Sequence, residues 1–73
     1  MNVSEPQAAP SRLISQSETC RRTSLSRATI YLRVKAGTFP RPCKLSEGRI
    51  AFVEHEIDKW IEDRISGRDS VAA

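Results

Sequence analysis

The stretch that decides the fold is Thr23-Ser24-Leu25-Ser26-Arg27-Ala28-Thr29-Ile30-Tyr31. Its first three residues form a turn, and Ser26 is of the type that caps a helix N-terminus by accepting a backbone N–H bond. Leu25 and Ile30 take the two positions of a hydrophobic staple, which fixes how the chain enters the helix. The stretch therefore predicts a tight turn and a capped helix whose first turn exposes Arg27.

A first helix is expected directly before this turn. The segment Ser15-Gln16-Ser17-Glu18 fits a capping box, in which the serine side chain accepts the amide three residues later. The first helix then extends to about Arg22. The second helix runs to about Ala36, because Gly37 suits a left-handed C-terminal position and Pro40 forbids continuation.

A two-stranded wing and a third helix follow. The segments 43–45 and 49–52 read as short strands joined by a loop in which Gly48 supplies positive φ. Pro40 and Pro42, just before the first strand, restrict it to a sheet edge. Apolar residues at spacings of three and four predict a helix over about 53–65, ended by Gly67. The members of this apolar stripe, in which Trp60 is expected to be core, are Val53, Ile57, Trp60, Ile61 and Ile65.

The predicted order is helix, turn, helix, two-stranded wing, helix, which is a mostly α, winged helix-turn-helix fold with a small β wing. Residues 1–11 lack hydrophobic periodicity and are expected to be a disordered arm. We assign residues 12–66 to the domain and 67–73 to a frayed tail. A chain of 73 residues has room for one such domain.

Charge is distributed unevenly along the chain. Residues 12–49 carry nine basic and two acidic side chains, whereas residues 50–73 carry three basic and six acidic ones. A basic body with an acidic last helix favours a face that binds polyanions, although sign segregation on a solvated surface is the alternative.

Several function classes lack support in the sequence. Cys20 and Cys43 make neither a disulfide framework nor, with the single His55, a zinc spacing, so we interpret both as small buried or half-buried apolar residues. We expect no metal, no cofactor and no catalytic residue, and we assign His55 no role. No apolar run approaches the roughly 20 residues that span a membrane. The expected location is the cytoplasm, with nucleoid association when bound to DNA.

A basic helix-turn-helix domain predicts contacts with DNA. Arginine can bind two acceptors of guanine, hydroxyl groups and methyl groups contact other base edges, and lysine or arginine can bind phosphates. The expected contacts from the first two helices are Arg21, Arg22, Ser26, Arg27, Ala28, Thr29, Tyr31, Arg33 and Lys35. The expected contacts from the wing are Arg41, Lys44 and Arg49. Each alternative is a role without DNA: a solvated surface side chain for Arg27, an ordinary helix position for Thr29, helix-end charge for Arg21 and Arg22, and a core flank for Tyr31.

The chain resembles the AlpA family of phage-type regulators, which are similar to excisionases and to the DNA-binding half of MerR proteins. The segments that carry the resemblance are Arg12-Leu13-Ile14, 22–31, Gly37-Thr38-Phe39-Pro40, Lys44-Leu45 and 56–61. The resemblance implies a winged helix-turn-helix domain that regulates prophage or integrase genes or directs excision. The chain departs from the family where Ser24 replaces a usual glycine. It also has the order Leu32-Arg33 where a basic residue usually precedes an apolar one, which would place Arg33 near the core edge.

The function expected from the residues and the resemblance is sequence-specific binding of double-stranded DNA. The second helix would enter the major groove, and the wing would lie on the backbone or in the minor groove. Integrase or RNA polymerase are possible partners, as is a second copy on DNA, and no membrane is expected. The alternative is a protein-interaction module whose acidic third helix docks on an integrase, polymerase or response regulator. RNA binding is a weaker third hypothesis, because stacking aromatics are not evident.

Overall fold

The computed structural model describes the backbone of residues 12–71 and the side chains through Arg68. The predicted N-terminal arm, residues 1–11, lies outside the described residues. The described elements, in chain order, are β1 (Leu13–Ser15), α1 (Gln16–Thr23), α2 (Arg27–Ala36), β2 (Cys43–Ser46), β3 (Arg49–Val53) and α3 (Glu54–Val71). This architecture confirms the winged helix-turn-helix fold.

The sheet has three strands in the order β1-β3-β2. The predicted wing is the β2–β3 hairpin, and the segment before α1 adds a third strand that pairs antiparallel with β3, with Ile14 opposite Phe52. The partner of so short a strand is set by long-range pairing, which hydrophobic periodicity cannot reveal. As the prolines predict, β2 lies at an edge of the sheet.

Local hydrogen bonds fix the start of each of the first two helices. The Ser15 hydroxyl accepts from the Glu18 amide at 3.0 Å, and the Ser26 hydroxyl accepts from the Thr29 amide at 3.1 Å. Both predicted N-caps are therefore confirmed. The Glu18 carboxylate does not reach back to complete the capping box, because it binds arginines of its own helix instead.

The two helix ends use left-handed residues. Ser24 ends α1 with φ 63°, and Gly37 ends α2 with φ 80°. The Ser24 amide donates to the Cys20 carbonyl at 2.8 Å. Ser24 thus has the backbone conformation that glycine favours at this position, although it carries a side chain.

The core consists of one buried apolar cluster between the helices and the sheet, formed by Ile14, Ile30, Phe39, Phe52 and Ile57. Phe39 meets Phe52 edge to face, with ring centroids 5.8 Å apart. Phe39 also meets the half-buried Trp60 edge to face, at a centroid distance of 4.9 Å. Trp60 therefore packs at the margin of the core, and it braces the loop between α2 and β2.

Trp60 also holds this loop through a polar contact. Its indole N–H donates to the Thr38 carbonyl at 3.1 Å. Since Phe39 and the carbonyl of Thr38 both contact the same ring, the segment that leads from α2 to the hairpin is fixed against α3.

The prediction that Gly67 ends α3 is wrong. The helix runs through Gly67 to Val71, and Gly67 does not have positive φ. A glycine lowers helix propensity by about 1 kcal/mol relative to alanine, but it does not forbid the helix. Ile65, the last member of the predicted apolar stripe, is exposed because the stripe continues beyond the core.

The two cysteines differ in burial. Cys20 is half-buried against the core, as predicted, but Cys43 is exposed. The prediction for Cys43 is wrong because every residue of the edge strand β2 is exposed. No helix in the described part of the chain is both long and apolar enough to cross a membrane.

Candidate nucleic-acid interface

The first turns of α1 and α2 meet the β2–β3 hairpin and enclose a cleft of about 200 Å³. We call it the arginine cleft, and its lining residues are Ser15, Gln16, Ser17, Arg27, Gly48, Arg49 and Ile50. Two arginines that lie far apart in sequence, Arg27 and Arg49, are thereby brought onto one concave surface. The arrangement places the start of α2, the helix predicted to enter the major groove, beside the predicted wing.

Arg27 is the first residue of α2 and is exposed. Its Nη2 donates to the Gln16 Oε1 at 2.9 Å, which links the first residue of α2 to the first residue of α1. Arginine has no acceptor atom, so the carboxamide oxygen of Gln16 must be the atom that faces it. The guanidinium keeps four other N–H donors for an external ligand.

Arg27, Tyr31 and Lys35 form one row along α2, because residues four apart lie on the same side of a helix. Tyr31 is 61% exposed, so most of its side chain lies outside the core, which it flanks. The Lys35 ammonium lies 5.3 Å from the centre of the Tyr31 ring. Tyr31 also lines a small cavity of about 70 Å³ beside Pro42, which precedes the hairpin, and the hairpin residue Ile50. The row therefore borders the hairpin, and we call it the α2 row.

Other predicted residues of α2 lie away from this row. Ala28 and Arg33 are both exposed, so the expectation that Arg33 lies near the core edge is wrong. The hydroxyl of Thr29 accepts a bond from the Ser26 hydroxyl at 3.0 Å, which ties both side chains to the helix cap. Leu32 is 63% exposed on the outer side of the helix.

The three contact residues predicted for the wing do not all lie on the same side of the molecule. Lys44 is exposed and stands opposite Ile50, a residue of the arginine cleft, so it lies at the margin of the cleft. Arg41 instead lines a groove of about 500 Å³ on the side of α3. The structure therefore brings Lys44 and Arg49 to the α2 side and leaves Arg41 apart.

Arg21 and Arg22 are engaged with carboxylates. Glu18 binds Arg21 through two bonds of 3.1 and 2.7 Å and binds the Arg22 Nε at 2.9 Å. The Arg22 side chain, 29% exposed, also reaches Glu54 at 2.9 Å and Asp58 at 3.5 Å on α3. Arg22 thus connects α1 to the beginning of α3.

These contacts shift the pKa values of Glu18 and Arg22. Hydrogen bonds from Arg22 and then Arg21 lower the pKa of the Glu18 carboxyl below its ordinary value of 4.5. Hydrogen bonds to Glu18 and then Glu54 raise the pKa of the Arg22 guanidinium above its ordinary value. Both groups remain charged across the physiological pH range, and they neutralise one another.

Ion pairing therefore separates the basic residues into two groups. Among the described side chains, those that pair with carboxylates are Arg12, Arg21, Arg22 and Lys59. Within the same described residues, the cations without a carboxylate partner are Arg27, Arg33 and Lys35 of α2, Arg41 of the following loop, Lys44 and Arg49 of the hairpin, and Arg64 and Arg68 of α3. Six of these eight cations lie on α2, on the hairpin or in the loop between them.

Sequence reasoning missed Gln16 as a residue of this site. Its position in a capping box marks it only as the first residue of a helix. The contact with Arg27 exists because the turn folds α1 back onto α2, which no local pattern of residue types reveals.

The helix-turn-helix, the hairpin and their shared basic cleft define a winged helix-turn-helix protein. The family model described as "Prophage CP4-57 regulatory protein (AlpA)" matches residues 12–65, and the chain belongs to this family of phage regulatory proteins. The match confirms the family indicated by the sequence motifs and covers every element except the last turns of α3.

One curated relative comes from Enterobacteria phage P4. The chain is 32% identical over 63 residues to "Uncharacterized protein ORF88" of that phage, which covers 86% of this chain and 72% of the relative. No solved structure matches the chain.

Proposed function

We propose that this protein is a sequence-specific regulator that binds double-stranded DNA. The observation that carries the proposal is the arginine cleft, in which Arg27 of α2 and Arg49 of the hairpin lie together. In this proposal α2 enters the major groove with its first turn at the base edges. The hairpin contacts the adjacent backbone or minor groove.

The charge arrangement supports this docking. Ion pairs within the protein occupy Arg21 and Arg22, so we assign them a structural role in joining α1 to α3. The cations of α2 and the hairpin lack such partners within the described residues, and desolvating them against phosphates breaks no ion pair. Lysine and arginine on such a surface release counterions from DNA, which supplies much of the affinity.

Base reading is assigned to the first turn of α2. Arg27 lies at the N-terminus of the helix, the end that contacts base edges in helix-turn-helix complexes, and its fork can bind guanine O6 and N7. Tyr31 and Lys35 continue the α2 row, and we propose that they contact phosphates, which position the helix without specifying sequence. Ala28 offers its methyl group to the groove floor.

The test is a salt-dependent binding titration with DNA from the gene neighbourhood of the protein and a scrambled duplex of equal length. We expect tighter binding to the first DNA and a steep loss of affinity with salt. Arg27→Ala should cost about 1–3 kcal/mol on the specific site and flatten its sequence preference. Equal, weak binding of the wild type to both duplexes would overturn the proposal.

Arg68→Ala provides the matched control, since it removes the same charge from the exposed last turn of α3. We expect this variant to bind the specific duplex as the wild type does. If Arg68→Ala and Arg27→Ala weaken binding equally, the effect comes from net charge and not from a contact of α2.

We propose that regulation depends on how many copies of this protein bind one DNA site. A single domain of this class buries only about 600–1,000 Å² on DNA, so tight binding calls for several copies or a second protein on the same DNA. We propose that copies bound side by side recruit or block RNA polymerase at prophage or integrative-element genes. The same arrangement would act as a directionality factor for excision if the copies bend DNA at an integrase site.

A second candidate function is docking on a protein partner through α3. The groove of about 500 Å³ beside Trp60 supports it, because basic and acidic residues, among them Arg41 and Glu56, surround its half-buried ring. A variant that lacks both Arg27 and Arg49 decides between the candidates. Regulatory activity in cells that survives this double substitution would favour protein docking over DNA binding.

A further inference from the structure

We infer that Gln16 is a specificity-determining positioning residue, which holds the guanidinium of Arg27 in the orientation that reads a base. The inference rests on the proposed function. It concerns a residue of α1 that is outside the recognition helix. Its basis is the hydrogen bond of 2.9 Å from Arg27 Nη2 to Gln16 Oε1.

The environment of Gln16 fixes this side chain. Gln16 is half-buried, and it lines both the arginine cleft and the small apolar cavity formed with Ile30, Ile50 and Phe52. Its aliphatic stem therefore lies against core residues, while its carboxamide faces Arg27. A residue held in this way by packing can orient a flexible neighbour, which is how a supporting side chain positions a functional one.

Arg27 needs such support. It is the first residue of α2 and is exposed, and among the described residues it has no carboxylate partner that would fix its guanidinium. A long side chain that is ordered before binding loses less conformational freedom on binding. One donor of the guanidinium is bound to Gln16, and the remaining donors suffice for a bidentate contact with guanine.

The geometry also explains why the contact affects specificity more than affinity. Gln16 carries no charge, so its removal leaves the positive charge of the cleft unchanged. Non-specific binding depends on that charge and should persist. Discrimination between bases depends on the direction of the guanidinium fork and should decline.

The test is a double-mutant cycle with Gln16→Met and Arg27→Ala, measured on the specific duplex and on duplexes with each base changed. Methionine is close to glutamine in length, and its thioether sulfur is only a weak acceptor in place of the carboxamide oxygen. We expect Arg27→Ala to lose about 10- to 100-fold of discrimination at one base pair and Gln16→Met to lose about tenfold at the same pair. The double variant should match Arg27→Ala alone, and binding to scrambled DNA should change little in Gln16→Met.

Ser66→Ala is the matched control, because Ser66 is an exposed, uncharged polar residue of α3 that lies outside the arginine cleft. It should leave the base preference unchanged. If Gln16→Met weakens all duplexes equally, or adds its full effect to that of Arg27→Ala, Gln16 is an independent backbone contact and the positioning role is refuted. If Arg27→Ala leaves the base preference intact, the proposed role of Arg27 fails as well.

The order of the Arg27 side chain can also be measured in the wild-type protein, so this test does not depend on the stability of the variants. NMR relaxation of the Arg27 Nε–H in the free protein should show an ordered side chain, whereas the exposed Arg68 should be mobile. Equal mobility of the two arginines would overturn the positioning role without bearing on whether the protein binds DNA.

Discussion

Replacing Ser24 by glycine should stabilise the protein. Ser24 closes α1 with φ 63° and ψ 21°, a left-handed conformation in which an L-residue is strained. That conformation costs an L-residue about 1–2 kcal/mol, which glycine would not incur. Glycine has more conformational freedom to lose on folding, and this loss costs about 0.5–1 kcal/mol. The expected net gain is therefore about 0.5–1 kcal/mol.

Thermal unfolding followed by circular dichroism measures this gain. For a domain of this size, 1 kcal/mol corresponds to about 4–8 °C in Tm, so Ser24→Gly should raise the Tm by about 2–8 °C. The side chain of Ser24 is exposed, so little packing is lost with it. An unchanged or lower Tm in Ser24→Gly would refute the reasoning that this turn is strained.

Two opposite substitutions serve as controls for Ser24→Gly. Gly37 has φ 80°, so Gly37→Ala should lower the Tm although the space around an added Cβ is open. Gly67 lies within α3 without positive φ, and an added Cβ would meet nothing within 4 Å, so Gly67→Ala should raise the Tm. A Tm that falls in both glycine-to-alanine variants would show that α3 does not continue through Gly67.

Three further predictions concern the contacts that hold the fold and the DNA. Trp60→Phe removes the bond to the Thr38 carbonyl and should lower the free energy of unfolding in urea by about 1 kcal/mol; equal stability would contradict the brace. Because the folded pKa of Glu18 is lowered, its contribution to stability is present above its ordinary value of 4.5 and is lost as the pH falls through the lower folded value. As the pH is lowered from 6, the Tm of Glu18→Gln should therefore fall less steeply than the Tm of the wild type. Identical dependence of the two Tm values on pH would argue against the arginine contacts of Glu18. Arg49→Ala should reduce the slope of log affinity against log salt by about 0.9 for specific and scrambled DNA alike; a changed preference at one base step would show that the hairpin reads DNA shape.

Local chemistry made much of the fold predictable. Ser15 and Ser26 cap their helices through bonds that span three residues, and Gly37 ends α2 through a conformation of its own backbone. Such signals lie within one turn of chain, so residue types in order suffice to place α1, α2 and the turn between them. The hairpin was equally local, because Gly48 closes it with φ 73°.

The composition of the site was also partly readable from sequence. Arg27 at the start of α2 and Arg49 after the hairpin turn were expected at a basic surface because of their residue types and positions. Their convergence on one cleft was not readable, since it depends on how the hairpin packs beside α1 and α2.

Tertiary structure alone decided which contacts Arg22 and Arg27 make outside their own helices. Arg22 has Glu18 one turn away in α1, but only folding brings it to Glu54 and Asp58 of α3, and only folding brings Arg27 to the neutral amide of Gln16. It likewise decided that residues 13–15 pair with β3 and that Cys43 is exposed. The physical reason is range: caps, turns and ion pairs within one helix join near neighbours, whereas ion pairs between elements, strand partners and burial depend on residues that meet only when the chain is folded.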